Sequence, residues 1–312
     1  MNEIILHYLT IGLTVALTSL GVGIGGGIST IAALDAINQQ PNTQPEITKT
    51  SIISLALIET AAILGLIIGI ILVFGTPPGY YAALAQFGIV IACGLSGIAV
   101  GIASSYPAKE AFYAIARQPF FSQKILNVML VAVSIIQTPF IFAFITSLLI
   151  FSRLGQVDSL PSALQMIAAG SAIGIGSIGP VIGLGLFAAK ACWGVGINRN
   201  AYRKIFPFTF ISQAIIETPI IFSLVIALLL VGGAQATSTL DVVRHLTAAL
   251  CVGIGTFGPG INSGKTAEAA AEQIALNPLN YSALSRSSMI AQALIEAASI
   301  YALLIALIIL LF

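Results

Sequence analysis

"SLALIETAAILGLIIGIIL", Ser54 to Leu72, decides the fold: nineteen residues with one charged side chain, Glu59, and no Lys or Arg among them. About 20 apolar residues carry a helix across the hydrocarbon core of a bilayer. The stretch therefore predicts a membrane span with a carboxyl group inside it. The rest of the chain agrees, since 58% of its 312 residues are hydrophobic and 7% charged, against roughly 25% charged in a soluble domain. So few charges cannot cover a water-facing surface, and similar apolar runs recur from end to end. The class is polytopic membrane protein, all-α. A formal net charge of +1 without any basic, aromatic-interleaved run leaves no electrostatic footprint for nucleic acid.

Working outward from Glu59, a two-part unit recurs four times: a glycine-rich helix, a short polar turn, and a more aliphatic helix. The glycine-rich helices contain "GVGIGGGIS" (Gly21 to Ser29), "CGLSGIAVGIASS" (Cys93 to Ser105), "GSAIGIGSIGPVIGLG" (Gly170 to Gly185) and "CVGIGTFGPGINSG" (Cys251 to Gly264). The aliphatic helices contain "ALIETAAIL", "SIIQTPFIF", "AIIETPIIF" and "ALIEAASIY", centred on Glu59, Gln137, Glu217 and Glu296. Those positions lie 78, 80 and 79 residues apart, a regularity that implies tandem multiplication. Eight transmembrane helices in four hairpins follow, with units at 1–78, 79–158, 159–236 and 237–312. "GTPPGYY" near Gly75, "SRLGQVDSLPS" near Arg153 and "GGAQATSTLDVVRH" near Gly232 read as the linkers between them.

The amino-terminal "MNEIILHYLTIGLTVALTSLG" lacks a basic leader region and its apolar run is long, so it reads as a retained first helix. The three cysteines are far apart in apolar segments and read as small core residues. Ten of the twelve basic residues lie in or beside the hairpin turns, with only Arg153 and Arg244 beside the linkers. By the positive-inside rule the turns are cytoplasmic and both termini face the other side. His7 and His245 then fall near the non-cytoplasmic ends and read as interfacial.

Glycine pairs spaced by four, such as Gly21/Gly25, Gly97/Gly101, Gly179/Gly183 and Gly260/Gly264, make flat strips that let helix backbones approach in lipid. Their restriction to alternate helices predicts a crowded inner layer, arranged as a ring. "GVGIGG" lies inside a span with no strand before it, so a dinucleotide-binding turn is excluded.

A carboxyl group at the centre of a membrane helix costs on the order of 3 kcal/mol on insertion scales, and an intramembrane ionisable group defaults to a functional hypothesis. No span supplies a basic partner at the same depth. In low dielectric such a group favours its neutral form and ionises on meeting water or a cation. A single Glu here serves equally well as a structural hydrogen-bonding group; three at equivalent positions of a repeat point to a reversible ion carrier. Gln137 keeps the shape but cannot release a proton or neutralise a cation, so the second hairpin is expected to be silent. Thr60 and Thr218 follow two of the carboxylates, and each reads either as an ion ligand or as a hydroxyl bonded to its own helix. Gln213 and Gln292, one turn before a Glu, bond either the carboxyl or a neighbouring helix. Pro139 and Pro219 are expected to break or bend their helices.

The whole chain resembles, four times over, the ring-forming proteolipid of rotary ATP synthases, their c subunit. The likeness rests on the hairpin pattern, on "ARQP" (Ala116 to Pro119), and on "GKTAEAAAEQIALNP" with "QALIEAASIYALLIALIIL" in the fourth unit. It implies a non-catalytic rotor ring, built from copies of the chain, turning in the membrane against a stator a subunit with its arginine. Glu59, Glu217 and Glu296 match the ion-carrying carboxylate. Gln40, Pro41, Arg117, Gln118, Pro119, Arg199, Asn277 and Pro278 fall in the turns that match the central-stalk contact. The third turn, "GVGINRNAYRK", lacks the Gln-Pro of the pattern.

In sodium-carrying relatives a Gln on the glycine helix helps ligate the ion. Here Gly26, Ser104, Leu184 and Ser263 hold that position, and Ala297 replaces a hydroxyl after Glu296. The oxygen count favours H+, with Na+ kept open by the threonines. Tyr301 matches the family's aromatic residue near the site, or simply packs. No cofactor or resident metal is implied. A proteolipid of a vacuolar-type ATPase is the nearest alternative, and a repeat-built secondary transporter or channel the next. A bacterial inner membrane is the implied location.

Overall fold

A computed structural model describes residues 2–75 and 79–312 and is helical throughout except for short turns. Ten α-helices form eight spans: α1 (Asn2–Gln39), α2 (Gln44–Phe74), α3 (Tyr80–Ala85) continuing into α4 (Phe87–Arg117), α5 (Ser122–Arg153), α6 (Leu160–Ile197), α7 (Tyr202–Gly232), α8 (Thr239–Gly255) continuing into α9 (Phe257–Leu276), and α10 (Tyr281–Leu311). All eight are long and apolar enough to cross a membrane. The linker proline pair expected near Gly75 and the unit boundary beside it involve residues 76–78, which lie outside the described residues.

Each hairpin turn has the same construction. One extended residue (Gln40, Gln118, Asn198 or Asn277, φ between −135° and −141°) ends the first helix, and a single 3-10 turn starts the second. In three of the four a proline opens that 3-10 turn, where its missing N–H costs nothing. The third lacks the proline but keeps the geometry, because Asn198 accepts a hydrogen bond from the Asn200 backbone N–H at 3.0 Å. The turns are also stitched to one another. Gln118 Nε2 donates to the Gly196 carbonyl at 2.8 Å, and Asn198 Nδ2 donates to the Ala275 carbonyl at 2.9 Å. At the other end, Ser159 and Ser238 close capping boxes on α6 and α8.

The spans form two rows. In one, α1, α4, α6 and α9 pack side by side; in the other, α2, α5, α7 and α10 do so. Each outer helix lies between its own inner helix and the next one: α2 against α1 and α4, α5 against α4 and α6, α7 against α6 and α9. The inner row is held by backbone-to-backbone approach. A Cβ on Gly101 would lie 2.6 Å from the Gly21 carbonyl carbon, and one on Gly260 would strike Pro180 of α6. Burial falls toward the ends of the rows. The most apolar windows of the α3/α4 span and of α6 are 72% buried, against 28% in α1 and 17% in α10. The two end hairpins therefore each lack a neighbour on one side.

Two expectations are corrected. Pro139 and Pro219 do not break their helices: α5 and α7 run uninterrupted through them. In a membrane bundle the carbonyls a proline frees are re-satisfied by neighbours. The interruptions fall in two inner spans instead, at Gln86 and Thr256, where side chains reach a neighbouring inner helix. Thr10 donates to Gln86 Oε1 at 2.9 Å, and Thr256 donates to the Gly176 carbonyl at 3.1 Å. His7 is not interfacial but 4% exposed, with Nδ1 at 3.0 Å from the same Gln86 oxygen.

Gly101→Val should lower the stability of the chain by about 1–3 kcal/mol through overpacking against α1. Gly12→Val, where an added Cβ meets nothing within 4 Å, should stay within about 0.5 kcal/mol of the parent. Thermal unfolding of the purified chain in detergent, followed by circular dichroism, checks the pair.

Candidate ion-carrying sites

The four repeat-equivalent side chains sit on the outer helices, one to each: Glu59 on α2, Gln137 on α5, Glu217 on α7 and Glu296 on α10. Their surroundings differ. Glu296 is 6% exposed and accepts a hydrogen bond from Ser263 Oγ of α9 at 3.2 Å. Gln137 is 5% exposed and donates through Nε2 to Ser104 Oγ of α4 at 3.0 Å. Both pairs join positions 33 residues apart, so one side-chain geometry has been kept while the acid became an amide. The remaining Gln137 oxygen is buried with no partner.

At the other two positions the inner helix offers no polar side chain. Leu184 takes the serine's place opposite Glu217, and Gly26 takes it opposite Glu59, where an added Cβ would meet Leu55. Glu217, half-buried, faces the Thr138 hydroxyl of α5. Glu59 is exposed on the unpartnered side of the first hairpin. The described part of the chain thus holds one carboxylate paired with serine, one facing a threonine on the adjacent outer helix, and one open.

The supporting residues divide in the same way. Ser263 reaches its carboxylate. Thr60 and Thr218 instead bond back to their own helices, at the carbonyls of Ala56 (3.4 Å) and Ala214 (3.1 Å). Gln213 Nε2 donates to the Ala132 carbonyl of α5 at 3.1 Å. Gln292 Nε2 donates to Ser212 of α7 at 3.3 Å and to Ser288 at 2.9 Å. Both amides therefore tie neighbouring outer helices together, and the oxygen of each is left buried without a partner. Tyr301 is 66% exposed and makes no hydrogen bond to Glu296. The turn residues Gln40, Pro41, Arg117, Gln118, Pro119, Arg199, Asn277 and Pro278 all lie at one end of the bundle, and Asn198 joins them as a residue the turn pattern had not singled out. Thr138 was also missed, although "QTP" repeats the "ETP" of the third unit. Among the described residues no group of three or more His, Cys, Asp or Glu side chains could hold a metal ion.

The arrangement supplies separate carboxyl groups at repeat-equivalent positions of the outer helices, one of them held by a serine hydroxyl. A sequence model of the ATP synthase C-subunit family matches the chain four times, over residues 9–72, 87–150, 167–230 and 246–309. Each match holds one of the four positions. The ATP synthase c subunit of Prochlorococcus marinus (strain AS9601) is 40% identical over 74 residues, covering 24% of this chain and 91% of that protein. An ATP synthase c subunit of Cereibacter sphaeroides and the chloroplastic one of Galdieria sulphuraria are each 42% identical over 72 residues, 23% of this chain and 87% of theirs. One hairpin-length stretch of this chain thus spans nearly the whole of each relative.

Replacing Gln137 by Glu should create a fourth reactive carboxyl, because Ser104 already stands where Ser263 stands beside Glu296. After dicyclohexylcarbodiimide treatment, which attacks protonated membrane carboxyls, mass spectrometry should find adducts at Glu59, Glu217 and Glu296 in the parent and one more at position 137 in the variant. Labelling of the three with none at 137 would break the equivalence.

Proposed function

The chain belongs to the ATP synthase C-subunit family, as a fusion of four hairpins and a non-catalytic part of the rotor, and on that premise we propose that it carries protons on Glu59, Glu217 and Glu296 as its ring turns. The observation that carries this reading is the Ser263–Glu296 pair and its amide copy Ser104–Gln137. A site retained in shape but stripped of its ionisable group is what a spacer in a ring of carriers requires, and a purely structural polar contact has no need of the distinction. The units 1–78, 159–236 and 237–312 carry; 79–158 does not.

Closure into a ring with copies of the same chain is supported by the ends of the inner row. Counted back from the turns, Gly23 corresponds to Gly101 and Gly260, and Gly27 to Gly185 and Gly264. Those four are pressed against the preceding inner helix, whereas an added Cβ on Gly23 or Gly27 meets nothing within 4 Å. Gly258, at the far end of the row, is equally bare, while its equivalents Gly21 and Gly179 are covered by the following inner helix. The first inner helix thus presents the strip that the fourth inner helix of a second copy fits. Glu59, open in one chain, gains its outer-row neighbour, α10 of that copy, on closure.

Within such a ring each carboxyl group takes a proton from one access path, rides neutral against lipid and adjacent hairpins, and is discharged beside the arginine of a stator a subunit. The turns, Asn198 included, face the central stalk. Ten basic residues around those turns support their placement in the cytoplasm of a bacterial cell, with the chain in its inner membrane. Protons fit better than Na+ because a hard cation must be met by several oxygens. Glu59 and Glu217 have Gly26 and Leu184 where Glu296 has the Ser263 hydroxyl, and the hydroxyls of Thr60 and Thr218 are turned to their own backbones.

Two measurements test this. Na+ at about 100 mM, far above the range of ordinary extracellular cation sites, should leave the rate of carbodiimide labelling unchanged at all three glutamates; protection at any of them would assign Na+ to that site. Images of the isolated ring should show a hairpin count divisible by four, and Gly27→Leu should leave a folded chain that does not close into rings. A ring of any other hairpin count, or normal closure of that variant, would count against assembly through this strip.

A further inference from the structure

The third turn departs from the pattern of the other three, and what replaces the pattern is charge. Counting from the turn residues, Arg199 stands where the other turns have Pro41, Pro119 and Pro278, and Arg203 where they have Pro45, Gln123 and Ser282. Both arginines line a cleft of about 490 Å³ between the second and third hairpins, together with Phe121, Lys124, Asn200 and Tyr202. Three cations and no carboxylate line it. The one ion pair among the described residues, Lys190 to Glu272, lies elsewhere.

The cleft is a built one. Lys124 Nζ is held 5.4 Å above the Tyr202 ring, and the Phe121 ring meets the same tyrosine edge-on at 5.6 Å. From Tyr202 an aromatic column descends α7 at four-residue spacing. Phe206 stacks on Tyr202 at 5.4 Å and Phe210 meets Phe206 edge-on at 5.4 Å. At about 1.5 Å of rise per residue, the column reaches roughly 12 Å down the span. Phe210 and Ile211 are 45% and 44% exposed on the outer row. Lys204 takes no part, being turned to Tyr281 of the fourth hairpin at 5.1 Å.

We propose that this cleft binds the phosphate headgroup of an anionic phospholipid, with an acyl chain lying along Phe206 and Phe210. Basic pockets between membrane helices recognise such headgroups, and guanidinium groups hold a phosphate through paired N–H donors. Free phosphate would use the cations and leave the aromatic column idle. An acidic soluble partner would do the same, since the column runs along a membrane-spanning helix. The cleft lies between two hairpins of one chain, so it is present in every copy, and it accounts for the one turn that lost its proline.

The test uses the purified full-length chain and native mass spectrometry in micelles doped with phosphatidylglycerol or phosphatidylcholine. The parent should retain phosphatidylglycerol and not phosphatidylcholine. Arg199→Gln/Arg203→Gln should reduce that retention by roughly tenfold or more, each cation near an anionic headgroup being worth about fivefold. Arg199→Lys/Arg203→Lys should restore most of it, and the single Arg203→Gln change serves if the double variant does not fold. Equal retention by parent and glutamine variants would overturn the proposal. So would equal retention of phosphatidylcholine, displacement of the lipid by inorganic phosphate at matching concentration, or a glutamine variant that keeps its lipid but no longer binds the soluble part of the synthase.

Discussion

Everything in this molecule hangs on how closely two helix backbones can approach when no side chain stands between them. Lipid gives apolar helices no hydrophobic reason to associate, so packing contact must do it. The glycine strips of α1, α4, α6 and α9 turn one helix surface into a flat wall against another. Once that row is set, the positions of the outer helices follow, because each falls into the groove between two consecutive inner helices. The depth of the carboxyl groups is thereby fixed by the inner row, which carries none of them.

Against that common frame the four sites are unequal. The same register that brings Ser263 to Glu296 brings Ser104 to Gln137, yet sets Leu184 and Gly26 against the other two carboxylates. Contacts along the outer row compensate in part. Gln213 and Gln292 lace α5 to α7 and α7 to α10, and Thr138 faces Glu217 from the neighbouring helix. A fused gene permits this divergence: once four hairpins share one chain, each can change without changing the others.

Much of this was legible in the sequence because membrane spans announce themselves by length and apolarity, and because four copies of a unit can be read against each other. The eight spans, the glycine row and the odd amide at position 137 all come from that comparison, while Ser263 was picked out through the family resemblance. What escaped it depended on which neighbour a polar side chain chooses. Thr60 and Thr218 bond their own backbones, and Gln213 and Gln292 bond the adjacent helix; spacing alone fits either choice. The helix interruptions were misplaced for a related reason. Pro139 and Pro219 sit where neighbours tolerate them, while Gln86 and Thr256 interrupt inner spans where side chains reach across to an adjacent helix. His7 lay near a helix end in the sequence and was buried only by the fold around Gln86.

The linkers have a consequence for how the assembly is held together. Three of the inner-row interfaces join segments of one polypeptide, and short connections keep such partners at effective concentrations in the millimolar range. In the proposed ring, the interface at Gly23 and Gly27 would have no such help and would depend on collisions between separate chains. The departures from glycine at these registers fall in one internal interface, that between α4 and α6, where Ala99 stands at the register of Gly21, Gly179 and Gly258, and Val181 at that of Gly23, Gly101 and Gly260. The two free ends of the row keep glycine at both registers, Gly23 and Gly258, as the α1–α4 and α6–α9 interfaces do with Gly21/Gly101 and Gly179/Gly260. In the proposed ring those ends meet as the seam, where intrinsic affinity alone would decide whether a closed assembly persists.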